Sequence, residues 1–142
     1  MARTEDLVIS SDLDQLPRVL DFVREACRLA AMSNDDAFAC ELAADEACTN
    51  IMEHAYGSSG DGKIRIQCRC EEDRFFLIFR DRGEPFDPAL VKEPNLGSDL
   101  MEREVGGLGL HFIRSLMDEI SFEFNELEGN TLIMVKRLGP GT

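Results

Sequence analysis

Three groups of residues in this 142-residue sequence have types and spacings that could do chemistry. Glu46, Asn50 and His54 recur at four-residue intervals, so on a helix they share one stripe. A carboxylate one turn from an amide can accept a proton while the amide oxygen serves a hard cation such as Mg²⁺. Asp81-Arg-Gly83 comes next; an Asp followed two residues later by Gly can offer a carboxylate at a pocket floor while the backbone passes close to a flat ligand. Gly106-Gly-Leu-Gly109-Leu is the third, and glycines at a helix start leave backbone N–H groups open to a phosphate. Each group has a bland alternative: a solvated acidic face, a simple turn, a flexible joint. The GxGxxG dinucleotide pattern and the GxxxxGK[ST] loop are both absent, so those two routes to nucleotide binding fail.

The elements that must hold these residues follow from periodicity. Glu5 to Ile9 reads as a short strand, and Ser10-Ser-Asp12 as the cap of a helix reaching about Ala31, with Leu13, Leu16, Leu20, Val23, Cys27 and Ala30 at helical spacing. Ser33 caps a second helix that runs to about Tyr56 and stops at Gly57. With Glu46 set at zero on a helical wheel, Cys40, Ala44, Ala47, Cys48, Ile51 and Ala55 fall between about 100° and 200°, the core face. Glu46, Asn50 and Glu53 lie within about 40° of zero, beside that face. Seven acids and no Lys or Arg stand between Arg28 and Lys63, so Glu46 has no cationic partner nearby in sequence.

Lys63 to Cys70 alternates with period two and Arg74 to Arg80 follows a Glu-Glu-Asp turn, which makes a hairpin ending at Asp81. Asp81 to Gly107 carries no periodicity and reads as a long functional loop. A third helix is expected over Leu108–Met117, then a closing hairpin, Ile120–Asn125 and Thr131–Leu138. The string β-α-α-β-β-loop-α-β-β implies an α+β two-layer sandwich, with helices on one face of a mixed, mostly antiparallel sheet.

Composition excludes other classes. Twenty-eight acids against 15 bases give a net charge of −13, which repels nucleic-acid backbones and favours a basic protein partner. The longest apolar run, Phe75 to Phe79, cannot span a bilayer, and the first residues lack a signal-peptide apolar stretch; a cytoplasmic protein is expected. The five cysteines show no CxxC pattern and read as small buried hydrophobes.

The ordered set resembles the N, G1 and G2 boxes of the GHKL (histidine-kinase-like) ATPase superfamily: E-xxx-N-xxx-H on a helix, D-x-G after a strand, GGLGL before a helix. Glu41 to Tyr56, Gly107 to Asp118 and Asn130 to Leu138 look like the corresponding stretches of the bacterial anti-sigma-factor serine kinases. The resemblance, over about residues 5 to 138, implies a single ATP-binding kinase domain of the Bergerat fold with an ATP lid at about 88–106. It implies that Asn50 holds Mg²⁺ and that Glu46 acts as the base or orients the attacking hydroxyl. Asp81 would accept from the adenine amino group, Gly83 would let the ring approach, Gly107 and Gly109 would meet the phosphates, and Thr131 would lie near adenine. Some anti-sigma kinases place an arginine directly before the G2 glycines to meet the γ-phosphate; here that position is Val105, and Arg103 is the nearest candidate. Partners implied are a sigma factor and an antagonist (anti-anti-sigma) protein, with homodimerisation through the first strand and helix. The alternative is a nucleotide-dependent binding module that transfers no phosphate.

Overall fold

The computed structural model describes residues 3–54, 62–83 and 113–138. Five strands form one sheet in the order β1-β2-β3-β5-β4, where β1 is Arg3–Ser10, β2 Lys63–Glu71, β3 Arg74–Asp81, β4 Glu119–Asn125 and β5 Gly129–Arg137. Every pairing among the described residues is antiparallel, so the parallel component expected of a mixed sheet does not occur there. Two helices, α1 (Leu16–Leu29) and α2 (Asn34–His54), cover one face.

Alternation along each strand sorts the side chains. Ile64, Ile66 and Cys68 of β2 stand opposite Asp81, Phe79 and Leu77 of β3, and all except Asp81 join the core under the helices. Phe75 and Phe79 are almost completely buried, and each contributes about 1.5–3 kcal/mol relative to exposure. The helices meet this surface with small residues: Ala26 and Cys27 from α1, and Cys40, Ala43, Ala44, Ala47 and Cys48 from α2. Small side chains let α2 lie close to the sheet, which matters because α2 carries Glu46 and Asn50.

The first helix starts later than its sequence suggests. Asp12 does cap, accepting from the Asp14 N–H at 3.0 Å, but the turn it caps is a 3-10 segment, Leu13–Gln15. Pro17 then occupies the first turn of α1, where its missing N–H costs nothing. Leu13, expected in the core, is therefore exposed, while Val19 is buried. Ser33 caps α2 as expected, its hydroxyl accepting from the Asp36 N–H at 3.2 Å. The core face of α2 is wider than the wheel predicts, since Ala43 and Met52 are also buried. The last described residue of the helix is His54, so its end at Gly57 falls outside the described residues.

Residues 113–116 are helical, which accounts for the second half of the expected third helix; 108–112 lie outside the described residues. Ile113 and Met117 anchor this segment in the core, and Lys136 Nζ donates to the Leu116 carbonyl at 2.8 Å, closing its C-terminal end. Cys27, Cys40, Cys48 and Cys68 are buried and all five cysteines are free; burial pushes the Cys48 thiol up to about 12. Among the described residues no helix is long and apolar enough to cross a membrane.

Candidate nucleotide site

The acids of α2 fall into two sets. Near its N-terminus Glu41 accepts from Arg24 of α1 at 2.7 Å, and Asp36 lies 3.9 Å from Lys136 of β5. The sequence places no base near these acids, yet the fold brings one to each. Further along, Glu46 is half-buried and forms no ion pair with any described residue. Burial raises its pKa, and the negative charges of Asp45 and Glu53 raise it further. A merely solvated acidic face would leave such a carboxylate exposed; this one is partly withdrawn from water.

Asn50 stands one turn on. Its amide nitrogen is buried with no hydrogen-bond partner among the described residues. A lost hydrogen bond at a buried amide costs about 1–3 kcal/mol, so an orphan donor here points to an acceptor such as a phosphate oxygen, while the amide oxygen is a separate ligand atom. An amide oxygen beside a carboxylate is a donor set that suits Mg²⁺, which takes one or two protein oxygens and completes its shell with water and phosphate. The residues present therefore fit that ion.

Asp81 ends β3 on the helix-covered side of the sheet and is only 5% exposed. Its Oδ1 accepts twice, from the Gly83 N–H at 2.9 Å and from Asn130 Nδ2 at 3.0 Å. Burial raises the Asp81 pKa, and these two donors oppose the rise. The second oxygen, Oδ2, makes no hydrogen bond to a described residue and is left to accept from a ligand.

Two residues of this site were missed by sequence reasoning. Asn130 sits directly opposite Asp81 in the β3–β5 register and also lies 3.5 Å from the Gly83 carbonyl. Gly129, before it, has φ +82°, and a Cβ there would collide with the Asp81 carbonyl oxygen and crowd the Arg82 Cα. Asn130 was visible only as the first residue of the stretch that resembles the family's closing strand, and its partner became legible with the register. The same register gives the face on which Thr131 stands. Its side chain projects from the opposite face, between Arg80 and Glu123, so Asn130 and not Thr131 supplies the side chain beside Asp81.

The structure thus joins Asp81, Gly83 and Asn130 by hydrogen bonds. It sets Glu46 and Asn50 one turn apart on the helix packed over the same side of the sheet. Arg103, Gly107, Gly109 and the expected lid at about 88–106 lie outside the described residues.

Comparison with known proteins places this arrangement. The model of the histidine kinase-like ATPase domain matches residues 9–136. The chain is 36% identical over 109 residues to the serine-protein kinase RsbW of Bacillus velezensis, covering 73% of this chain and 66% of that one. It is also 36% identical over 111 residues to that of Bacillus licheniformis (75% and 68%), and 36% identical over 103 residues to that of Bacillus subtilis (69% and 62%). The matches thus span about two thirds of the length of these relatives. A crystal structure of the RsbU and RsbW domains of Rv1364c from Mycobacterium tuberculosis superposes on 96% of this chain and 32% of its own, with a TM-score of 0.64 at 15% identity, which is a likeness of fold. With its N-box helix, its strand-end aspartate and this match over most of its length, the chain belongs to the histidine kinase-like ATPase domain family.

Proposed function

We propose that this chain is an ATP-dependent serine kinase that phosphorylates an antagonist protein and, in the alternative partnership, sequesters a sigma factor. The observation that carries the reading is the division of acids on α2. Asp36 and Glu41 find bases, whereas half-buried Glu46 finds none among the described residues and lies one turn from the orphaned amide nitrogen of Asn50. The serine-protein kinases to which the chain is similar add the reaction class.

In this reading Asp81 Oδ2 accepts from the adenine amino group, and Gly83 keeps the adjoining backbone free of a side chain. Asn50, with its amide oxygen, would hold Mg²⁺, which supplies charge neutralisation for the phosphates when bound. Glu46 takes the proton of the attacking serine hydroxyl, or orients that hydroxyl, and its raised pKa suits a base that must first be emptied and then filled. Gly107 and Gly109 offer N–H groups to the phosphates, residues 88–106 form the lid, and Arg103 meets the γ-phosphate. The whole sequence acts as one cytoplasmic domain, pairs with a second copy through β1 and α1, and contacts no nucleic acid directly. Its charge of −13 suits a basic surface on the protein partner.

The test is transfer itself. The chain, γ-labelled ATP, Mg²⁺ and an extract of the cells that encode it should yield labelled phosphoserine in a protein other than the chain. Glu46→Ala should reduce that label by about 10²-fold or more. Nucleotide binding with no phosphoserine at all would contradict the kinase reading and favour a nucleotide-dependent binding module.

A further inference from the structure

The arrangement around Asp81 has a property that its carboxylate alone would not have. Asp81 and Asn130 are 5% and 7% exposed and face each other across the β3–β5 ladder. Among the described residues, the groups that favour the charged form of Asp81 against its burial are neutral donors, the Asn130 amide and the Gly83 N–H. Both act on the same oxygen, Oδ1. Asn130 also reaches the Gly83 carbonyl, so it bridges the strand end and the turn that follows. Gly129 lets the two backbones approach closely enough for this, because any side chain there would strike the Asp81 carbonyl.

We propose that Asn130 is a positioning residue for Asp81: by holding Oδ1 it keeps the carboxylate charged and leaves Oδ2 as a pure acceptor, so that the site reads an amino group on a purine and refuses a keto group. The inference rests on the nucleotide reading given above and deepens it. A charged carboxylate only accepts hydrogen bonds, and so pairs with the exocyclic amine of adenine and repels the carbonyl oxygen of guanine. A protonated carboxyl can donate, and that discrimination is lost. Where neutral donors hold the charge, removing one of them from a buried carboxylate has a large effect.

Two variants separate positioning from simple structural support. Asn130→Ala removes the donor; Asn130→Asp keeps the shape but substitutes a second carboxylate, which should share a proton with Asp81. In the nucleotide-free chain, carboxyl-carbon NMR should show Asp81 titrating about one pH unit higher in Asn130→Ala, and higher still in Asn130→Asp. Fluorescence titration should then show the ratio of ATP to GTP affinity falling by about tenfold in the variants at mildly acidic pH, with recovery at alkaline pH. A merely structural role would lower both affinities together at every pH.

An Asp81 that titrates at the same pH in wild type and both variants overturns the proposal, as does an unchanged ATP-to-GTP ratio. If Asn130→Ala fails to fold, the isosteric Asn130→Asp carries both measurements. The NMR arm needs no nucleotide, so its failure is distinct from that of the underlying reading, which would appear as a wild-type chain that binds no ATP.

Discussion

At the scale of single residues, the proposed site depends on two carboxylates whose pKa values burial raises, for different proposed uses. Glu46 has its pKa raised by burial and then by Asp45 and Glu53; Asp81 has its pKa raised by burial against the pull of Asn130 and Gly83. A carboxylate whose folded pKa exceeds its unfolded one binds its proton more tightly in the fold. Both groups therefore favour folding more as pH falls through their pKa values, while both proposed roles require the charged form. Phosphotransfer should fall on acidification at a higher pH than an ordinary glutamate would impose. Glu53→Gln, which removes an exposed negative neighbour of Glu46, should move the acidic limb of the pH–rate profile down by about a few tenths of a pH unit. Initial-rate measurements across the acidic range check this, and an upward movement would contradict the role given to Glu46.

At the scale of elements, the α1–α2 junction shows where local chemistry is strained. The Met32 N–H donates to the Cys27 carbonyl at 3.2 Å and the Ala31 N–H to that of Arg28 at 3.0 Å, the Schellman pattern that ends a helix. That pattern wants glycine at its left-handed position, yet Ala31 sits there with φ +55°. Ala31→Gly should stabilise the chain by about 0.5 kcal/mol, raising Tm by about 1–2 °C. Ala30→Gly, one residue earlier at φ −82°, should instead lower it, so the opposite signs in thermal melts identify the strained position.

Element order and most strand and helix limits were legible in the sequence, because alternation in β2 and the three-to-four spacing of α1 and α2 report burial directly. The start of α1 was not, since Asp12 is an equally good cap for a 3-10 turn and for a helix. The breadth of the α2 core face was also hidden. Ala43 and Met52 flank the predicted stripe, and a helix lying on a broad sheet buries more of its circumference than one meeting a single neighbour. In the site, Glu46, Asn50 and Asp81 could be picked out by spacing. Asn130 could not, because one residue of strand register decides whether it or Thr131 shares a face with Asp81.

At the scale of the whole molecule, a chain with a net charge of −13 is proposed to take up a polyanionic nucleotide. That is possible only where the protein neutralises the phosphates locally, with a divalent cation at Asn50 and backbone N–H groups at a helix start. The proposed division of labour follows: Asp81 would recognise the base, Asn50 and the cation would hold the phosphates, and Glu46 would serve the transfer step. Isothermal titration of ATP with Mg²⁺ into wild type, Asp81→Asn and Glu46→Ala tests that division directly. The account predicts binding by wild type and Glu46→Ala and none by Asp81→Asn. A wild-type chain that takes up no ATP at millimolar concentration, or an Asp81→Asn variant that binds as wild type does, would contradict it.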